Sequence, residues 1–213
     1  NSLQGGYIQS KWVAEQLVCL AHQRGLPVTI YRPSRLVGHT DTGLMNTEDL
    51  FCRMIKGAVL LESIPNQGFY DNIIAVNDAS QLIITASLAA NVQGQAFHVT
   101  DKWYHSDKLN EFIRKEGFKL EMVELENWLQ KIESLSSENP SHPLVPLLPM
   151  FRTQNTSADS DPLTQRPPVM KKKNTDSLNN FEQSDKTLSE MLRVYFDFFY
   201  KTDFLPVPDH SNE

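Results

Sequence analysis

Cysteine is nearly absent: Cys19 and Cys52 are the two in 213 residues, and neither has a neighbour at metal-ligand spacing. Both lie in patterns that read as buried helix faces. A disulfide scaffold and a metal site are therefore not expected, and a reducing, cytoplasmic compartment is. Long hydrophobic runs are missing too. No segment reaches the roughly 20 apolar residues that a membrane-spanning helix needs. The opening NSLQGG lacks the charged and apolar parts of a secretion signal, so no membrane partner is expected. Basic charge is in deficit, with 20 Lys and Arg against 26 Asp and Glu and a net charge of -6. Phosphate backbones bind clustered cations, and three lysines at 171–173 are too short a run to supply them, which argues against a nucleic-acid partner. The last shortage is of glycine in one arrangement. No glycine-rich strand-to-helix turn, of the kind that seats a pyrophosphate at a helix N-terminus, occurs anywhere; Gly5-Gly6 lacks a preceding strand and reads as a hinge.

What is present is an alternation of helical and strand patterns with enough apolar residues, 40%, to bury a core. Apolar positions at Ile8, Trp12, Val13, Leu17, Leu20 and Ala21 predict a helix from Tyr7 to Arg24 closed by Gly25. LPVTIY, Leu26 to Tyr31, then predicts a strand covered on both faces, ended by Pro33 in a loop that runs to His39, with Gly38 allowing unusual backbone angles. Further expectations are a helix from Asn46–Asp49 to Gly57, a strand at 72–76, a helix near 78–90 capped by Asp78, and a strand at 96–99. A helix capped by Ser106 and stopped by Gly117 follows, with a strand at 120–123 and a short helix at 126–135. The apolar clump at 144–151 should dock, residues 153–172 read as a mobile loop, and a closing helix at 184–200 should bury Leu188, Leu192, Tyr195, Phe196 and Phe199. Trp12 and Trp128 read as core anchors. The ordering is that of an α/β protein.

The chemistry concentrates at the start. Tyr7 and Lys11 are four apart on a helix and project from one face. An ammonium a few ångströms from a phenol stabilises the phenolate and lets the group exchange a proton with a substrate oxygen. Taken alone, Tyr-x-x-x-Lys is more often an ordinary surface pair. Here the pair opens a helix that leads to a buried strand and a Pro-containing loop, the order found in short-chain dehydrogenase/reductases.

The stretches GGYIQSKWVAEQLV, RGLPVTIYRPSRLVGHTDTGLMNTEDLFCRMIKG, NIIAVNDASQLI, GQAFHVT, HPLVPLLPMF and YFDFFYKTDFLPVP together resemble the thioester reductase domains that end nonribosomal peptide synthetases and related carrier-protein enzymes. These are a branch of the extended short-chain reductases. The resemblance implies the C-terminal half of such a fold, with a Rossmann-like remnant at 1–45 and a small α-rich substrate subdomain at 46–213. Returning sheet strands interleave with that subdomain near 72–100. It implies Tyr7 as general acid, Lys11 as its activator and ribose ligand, and Pro33, Ser34 and Arg35 as the cofactor-side loop. Ser34 stands where many relatives have Gly. His39 is either a solvated loop histidine or a contact for the phosphopantetheine arm. The implied reaction is NADPH-dependent reduction of a carrier-protein-bound acyl or peptidyl thioester to an aldehyde or alcohol. The implied partners are that carrier protein and a missing N-terminal half that holds the glycine-rich turn and the catalytic Ser or Thr. Alone, such a fragment would be inactive and would leave a sheet edge open. Two rivals stay open: a non-catalytic module that binds a carrier protein or partner chain, and another extended reductase, such as a fatty acyl-CoA reductase or nucleotide-sugar epimerase.

Overall fold

The computed structural model describes residues 6–101, 103–155, 171–178, 181 and 183–208. The chain divides into two compact units, one of Asn1–Leu36, Ile73–Lys102 and Val169–Ser184, the other of Val37–Asn72, Trp103–Pro168 and Asp185–Glu213.

The first unit opens with α1 (Gly6–Gln23), closed as expected by Gly25 at φ 94°. Strand β1 is Ile30–Pro33, shorter and later than the hydrophobic run predicts. Its partner sets its limits: β5 (Ala96–Val99) runs parallel to it from Ile30↔Ala96 to Pro33↔Val99. Before that register begins, Val28 and Thr29 are tied to the turn ahead of β5 instead, by Gly94 N–H to Val28 O and Thr29 Oγ1 to Val92 O. The loop expected after Pro33 is in fact a strand, β2 (Arg35–Val37), because Leu36 and Val37 can extend into a sheet of order β2-β4-β6, with β4 at Tyr70–Ala75 and β6 at Trp103–His105.

Helix α3 (Val76–Leu88) follows β4, with Ala75 at its N-cap. Asp78 is therefore not the cap; it lies buried in the first turn and accepts from Asn77 Nδ2 at 3.0 Å. Ile74, Ala79, Leu82 and Val99 form this unit's core, packed against Tyr31, Ile83, Leu178 and Phe181. Each such burial is worth about 1.5–3 kcal/mol for a full-sized apolar side chain. A one-turn helix, α7 (Lys173–Asp176), begins within the lysine run that reads as loop, and its Asn174 and Thr175 side chains donate to the carbonyls of Ala96 and His98.

In the second unit, α2 (Leu50–Leu61) is capped by Asp49, whose Oδ1 accepts from Phe51 N at 2.6 Å and Cys52 N at 3.4 Å. It does not stop at Gly57. That glycine is a packing site, since a Cβ there would lie 2.3 Å from Leu144 Cγ, and the helix ends at Glu62 with φ 50°. Gly38 likewise has an ordinary φ and serves close approach, a Cβ there falling 2.5 Å from Met45 Cε. Strands β3 (Ser63–Pro65) and β7 (Glu121–Val123) pair in parallel, and β4 pairs antiparallel with β6 from Tyr70↔His105 to Asn72↔Trp103.

Helix α4 (Ser106–Lys115) is capped by His105 rather than Ser106, because the Ser106 hydroxyl is already engaged by Phe69 N–H at 3.0 Å. Helices α5 (Leu125–Glu138) and α6 (Leu148–Asn155), joined through a 3-10 turn at Val145–Leu147, enclose Trp128, Leu129, Ile132 and Leu144. Trp128 is the anchor it was expected to be and donates Nε1–H to Ser63 O at 3.2 Å. Helix α8 (Leu188–Lys201) carries a full capping box, Thr187 with Glu190, and buries the five side chains expected of it. Of the segment 153–172 read as a mobile loop, residues 156–170 lie outside the described residues. Among those described, no helix is long and apolar enough to cross a membrane, and no group of three His, Cys, Asp or Glu gathers at metal-binding range.

Candidate active site

Helix α1 sets the geometry. Tyr7 and Lys11 share a face one turn apart, with Lys11 Nζ 5.6 Å from the centroid of the Tyr7 ring, and Tyr7 is 75% exposed. Ser10 does no more than return its hydroxyl to Tyr7 O at 2.8 Å. The same face continues to Glu15, one more turn along, and Glu15 takes the guanidinium of Arg32 in a two-pronged pair, Nε to Oε2 at 3.0 Å and the second nitrogen to Oε1 at 2.5 Å. That bond holds the Glu15 carboxyl below its ordinary range and raises Arg32, against a smaller opposing effect of burial. Arg32 also reaches His98 Nε2 at 3.4 Å, which accounts for the ring of that strand residue. The helix bearing the tyrosine is thus clasped to β1 at the residue before Pro33. Sequence reasoning missed Glu15 and Arg32. The available signal was the extension of the four-residue spacing from Tyr7 through Lys11 to Glu15.

Pro33 closes β1, and Arg35 opens β2. Between them Ser34 donates its backbone N–H to Val99 O at 2.9 Å, while its buried Oγ has no hydrogen-bond partner among the described residues. His39, in the second unit, belongs to a small closed loop. Its backbone exchanges bonds with Gly43 and Leu44, and its Nδ1 accepts from Asp41 N at 3.1 Å. Lys186 pins that loop through Asp41 Oδ1 at 2.5 Å and Thr40 O at 2.9 Å, which lowers the Asp41 carboxyl, and the buried Tyr195 hydroxyl donates to Gly38 O at 2.8 Å.

The exposure of α1 departs from expectation. None of its residues is buried; Trp12, expected as a core anchor, is 54% exposed, and Ile8, Val13 and Leu17 are exposed beside it. The partly covered positions, Glu15, Cys19 and Ala21, mark the side that faces its own unit.

Residues 1–83 match the NAD-binding family model described as "Male sterility protein". The chain is 35% identical over 132 residues to a linear gramicidin synthase of Brevibacillus parabrevis, covering 62% of itself and 3% of that protein. It is 28% identical over 226 residues to L-2-aminoadipate reductase of Saccharomyces cerevisiae, covering its whole length and 16% of that enzyme. Among solved structures, the terminal R domain from the myxalamid PKS-NRPS biosynthetic pathway superposes with a TM-score of 0.81 at 32% identity, over 98% of this chain and 52% of that one. The chain therefore spans a small part of these curated relatives and about half of the solved domain. Its α/β fold is that of the extended short-chain reductases, and it is kin to the terminal reductase domains of nonribosomal peptide synthetases.

The family match supports a nicotinamide cofactor. The residues fit one end of it: an exposed phenol and ammonium one turn apart suit ribose and nicotinamide, and the Ser34 hydroxyl is a buried polar group still lacking a partner among the described residues. No glycine-rich turn for the pyrophosphate occurs in the sequence.

Proposed function

We propose, on the premise that the chain is kin to terminal reductase domains, that it carries the proton-delivering side of an NADPH-dependent thioester reductase. The substrate would be an acyl or peptidyl group on the phosphopantetheine arm of a carrier protein, released as an aldehyde or alcohol. The cofactor, when bound, supplies the hydride. The Tyr7 hydroxyl would give its proton to the carbonyl oxygen as negative charge develops there; Lys11 would hold the ribose hydroxyls and face the phenol. Ser34, with the backbone of Pro33 and Arg35, would flank the nicotinamide, and His39 would meet the arm. The neutral thiohemiacetal would then break its C–S bond, giving aldehyde and carrier thiol. On this reading residues 1–45 serve the cofactor, and 46–213, apart from the returning stretch near 72–100, serve the substrate.

The observation that carries the proposal is the exposed Tyr7–Lys11 pair on a helix clasped by Glu15 and Arg32 to the strand that delivers Pro33 and Ser34. Among the described residues β1 pairs with β5 alone, and α1 buries no residue. A glycine-rich strand-turn-helix segment outside these residues would dock there and supply the pyrophosphate turn. The exposed apolar side chains of α1 also suit one second reading, a non-catalytic module that binds a carrier protein or partner chain.

The test supplies such a segment, fused ahead of the chain, together with NADPH and an acyl-carrier thioester, and identifies products by mass spectrometry. Aldehyde or alcohol plus free carrier thiol is expected. Untouched thioester bound by the protein would favour the module.

A further inference from the structure

The second unit holds a cavity of about 340 Å³ between one face of α2, the loop after α5 and the residue Phe204 beyond α8. Its size is that of a small-ligand site. Arg53, Lys56 and Leu60 line it from α2, at the three- and four-residue spacing that puts them on one face. Arg53 is already paired with the carboxylate of Glu48, which also lines the cavity, and donates Nε–H to the Glu48 carbonyl at 2.8 Å. Lys56 is not: its ammonium rests 4.5 Å from the centroid of the Phe204 ring and has no carboxylate partner among the described residues.

A second group in the same wall also lacks a partner. His142 is 4% exposed, and its Nδ1 accepts from Leu144 N–H at 3.3 Å, which places the ring proton on Nε2. Nε2 is buried and has no hydrogen-bond partner among the described residues. A buried donor left without an acceptor is unfavourable, and this one belongs to a residue of the cavity wall. Beside these polar groups stand Leu60, Pro143 and the Phe204 ring.

We propose that this cavity binds a carboxylate that carries a short apolar tail. One uncompensated cation, in a chain of net charge -6, suits a single negative charge better than the two of a phosphate monoester. The oxygens would take the Lys56 ammonium, and a small turn of the imidazole would bring the His142 donor to them; the tail would lie on Leu60, Pro143 and Phe204. The assignment uses none of the side chains given a named role in reduction, although the cavity lies in the substrate-side stretch, and does not depend on that reading.

The test is titration of the isotopically labelled 213-residue protein with hexanoate, followed by amide NMR, with hexylamine, methyl hexanoate and inorganic phosphate as comparison probes. Hexanoate should produce saturable shifts centred on Lys56, Ser141 and Phe204, while the three comparison probes should not. Lys56→Met should weaken hexanoate by about tenfold, as loss of a charge-assisted bond predicts, and Lys56→Arg should restore most of it. If Lys56→Met does not fold, the wild-type shift map and the probe series decide alone. Shifts that do not saturate, that cluster on α1, that appear equally with hexylamine, or that survive Lys56→Met unchanged overturn the proposal.

Discussion

At the scale of single residues, two positions show how much the second unit depends on close fit. Gly57 lies mid-helix against Leu144, with no room for a methyl group. Gly57→Ala gains about 1 kcal/mol of helix propensity but overpacks a closed contact at a cost of about 1–3 kcal/mol, so it should be net destabilising in urea denaturation. In a Leu144→Ala background the clash is gone, and the same substitution should become stabilising; equal effects in both backgrounds would show that the two residues do not couple. His142 makes a second test. Burial lowers its pKa from the ordinary histidine value, so the unfolded chain takes up the proton at higher pH than the folded one. The stability this contributes is complete above the unfolded value, about 6.5, and is lost as pH falls through the folded one. Between about pH 7.5 and about pH 5.5, wild type should lose more unfolding free energy than His142→Gln; parallel profiles would assign the loss to other groups. That Tyr7 and Lys11 lie near each other was legible from their four-residue spacing, because both sit on one helix; the pair's reading as a site came from the order of the motifs around it. The Glu15–Arg32 clasp was not, since it joins residues 17 apart through tertiary structure.

Elements were legible where local chemistry decides them and illegible where a partner does. The closing helix could be read from its aromatic stripe, and Thr187 and Glu190 cap it reciprocally. Thr187→Ala should therefore cost about 1 kcal/mol, with Thr187→Ser close to wild type. The ends of β1 could not be read, because the apolar run LPVTIY begins before the register with β5 does. A glycine inside α2 looked like a stop signal and proved to be a packing site. Strands β3 and β6, three residues each, are too short to show any period, and their existence follows from pairing with β7 and β4.

At the scale of the whole molecule, the α/β class and the kinship were visible in the ordering of motifs, whereas the bareness of α1 was not. Periodicity marks an apolar face but is silent on what covers it. Ile8, Trp12, Val13 and Leu17 are each about half exposed or more, so this helix leaves much apolar area uncovered around its circumference. Sedimentation of the 213-residue protein should accordingly show concentration-dependent self-association, reduced by Trp12→Lys with Leu17→Lys; an unchanged monomer in both would mean that this exposure is tolerated as it stands. The central claim is that Tyr7 delivers the proton in a reductase completed by a glycine-rich segment. Its most direct measurement is nicotinamide absorbance during turnover of the completed enzyme on an acyl-carrier thioester, wild type against Tyr7→Phe. The account predicts that Tyr7→Phe lowers kcat by about 100-fold or more while KM for NADPH changes little. A Tyr7→Phe enzyme that turns over at the wild-type rate would contradict it.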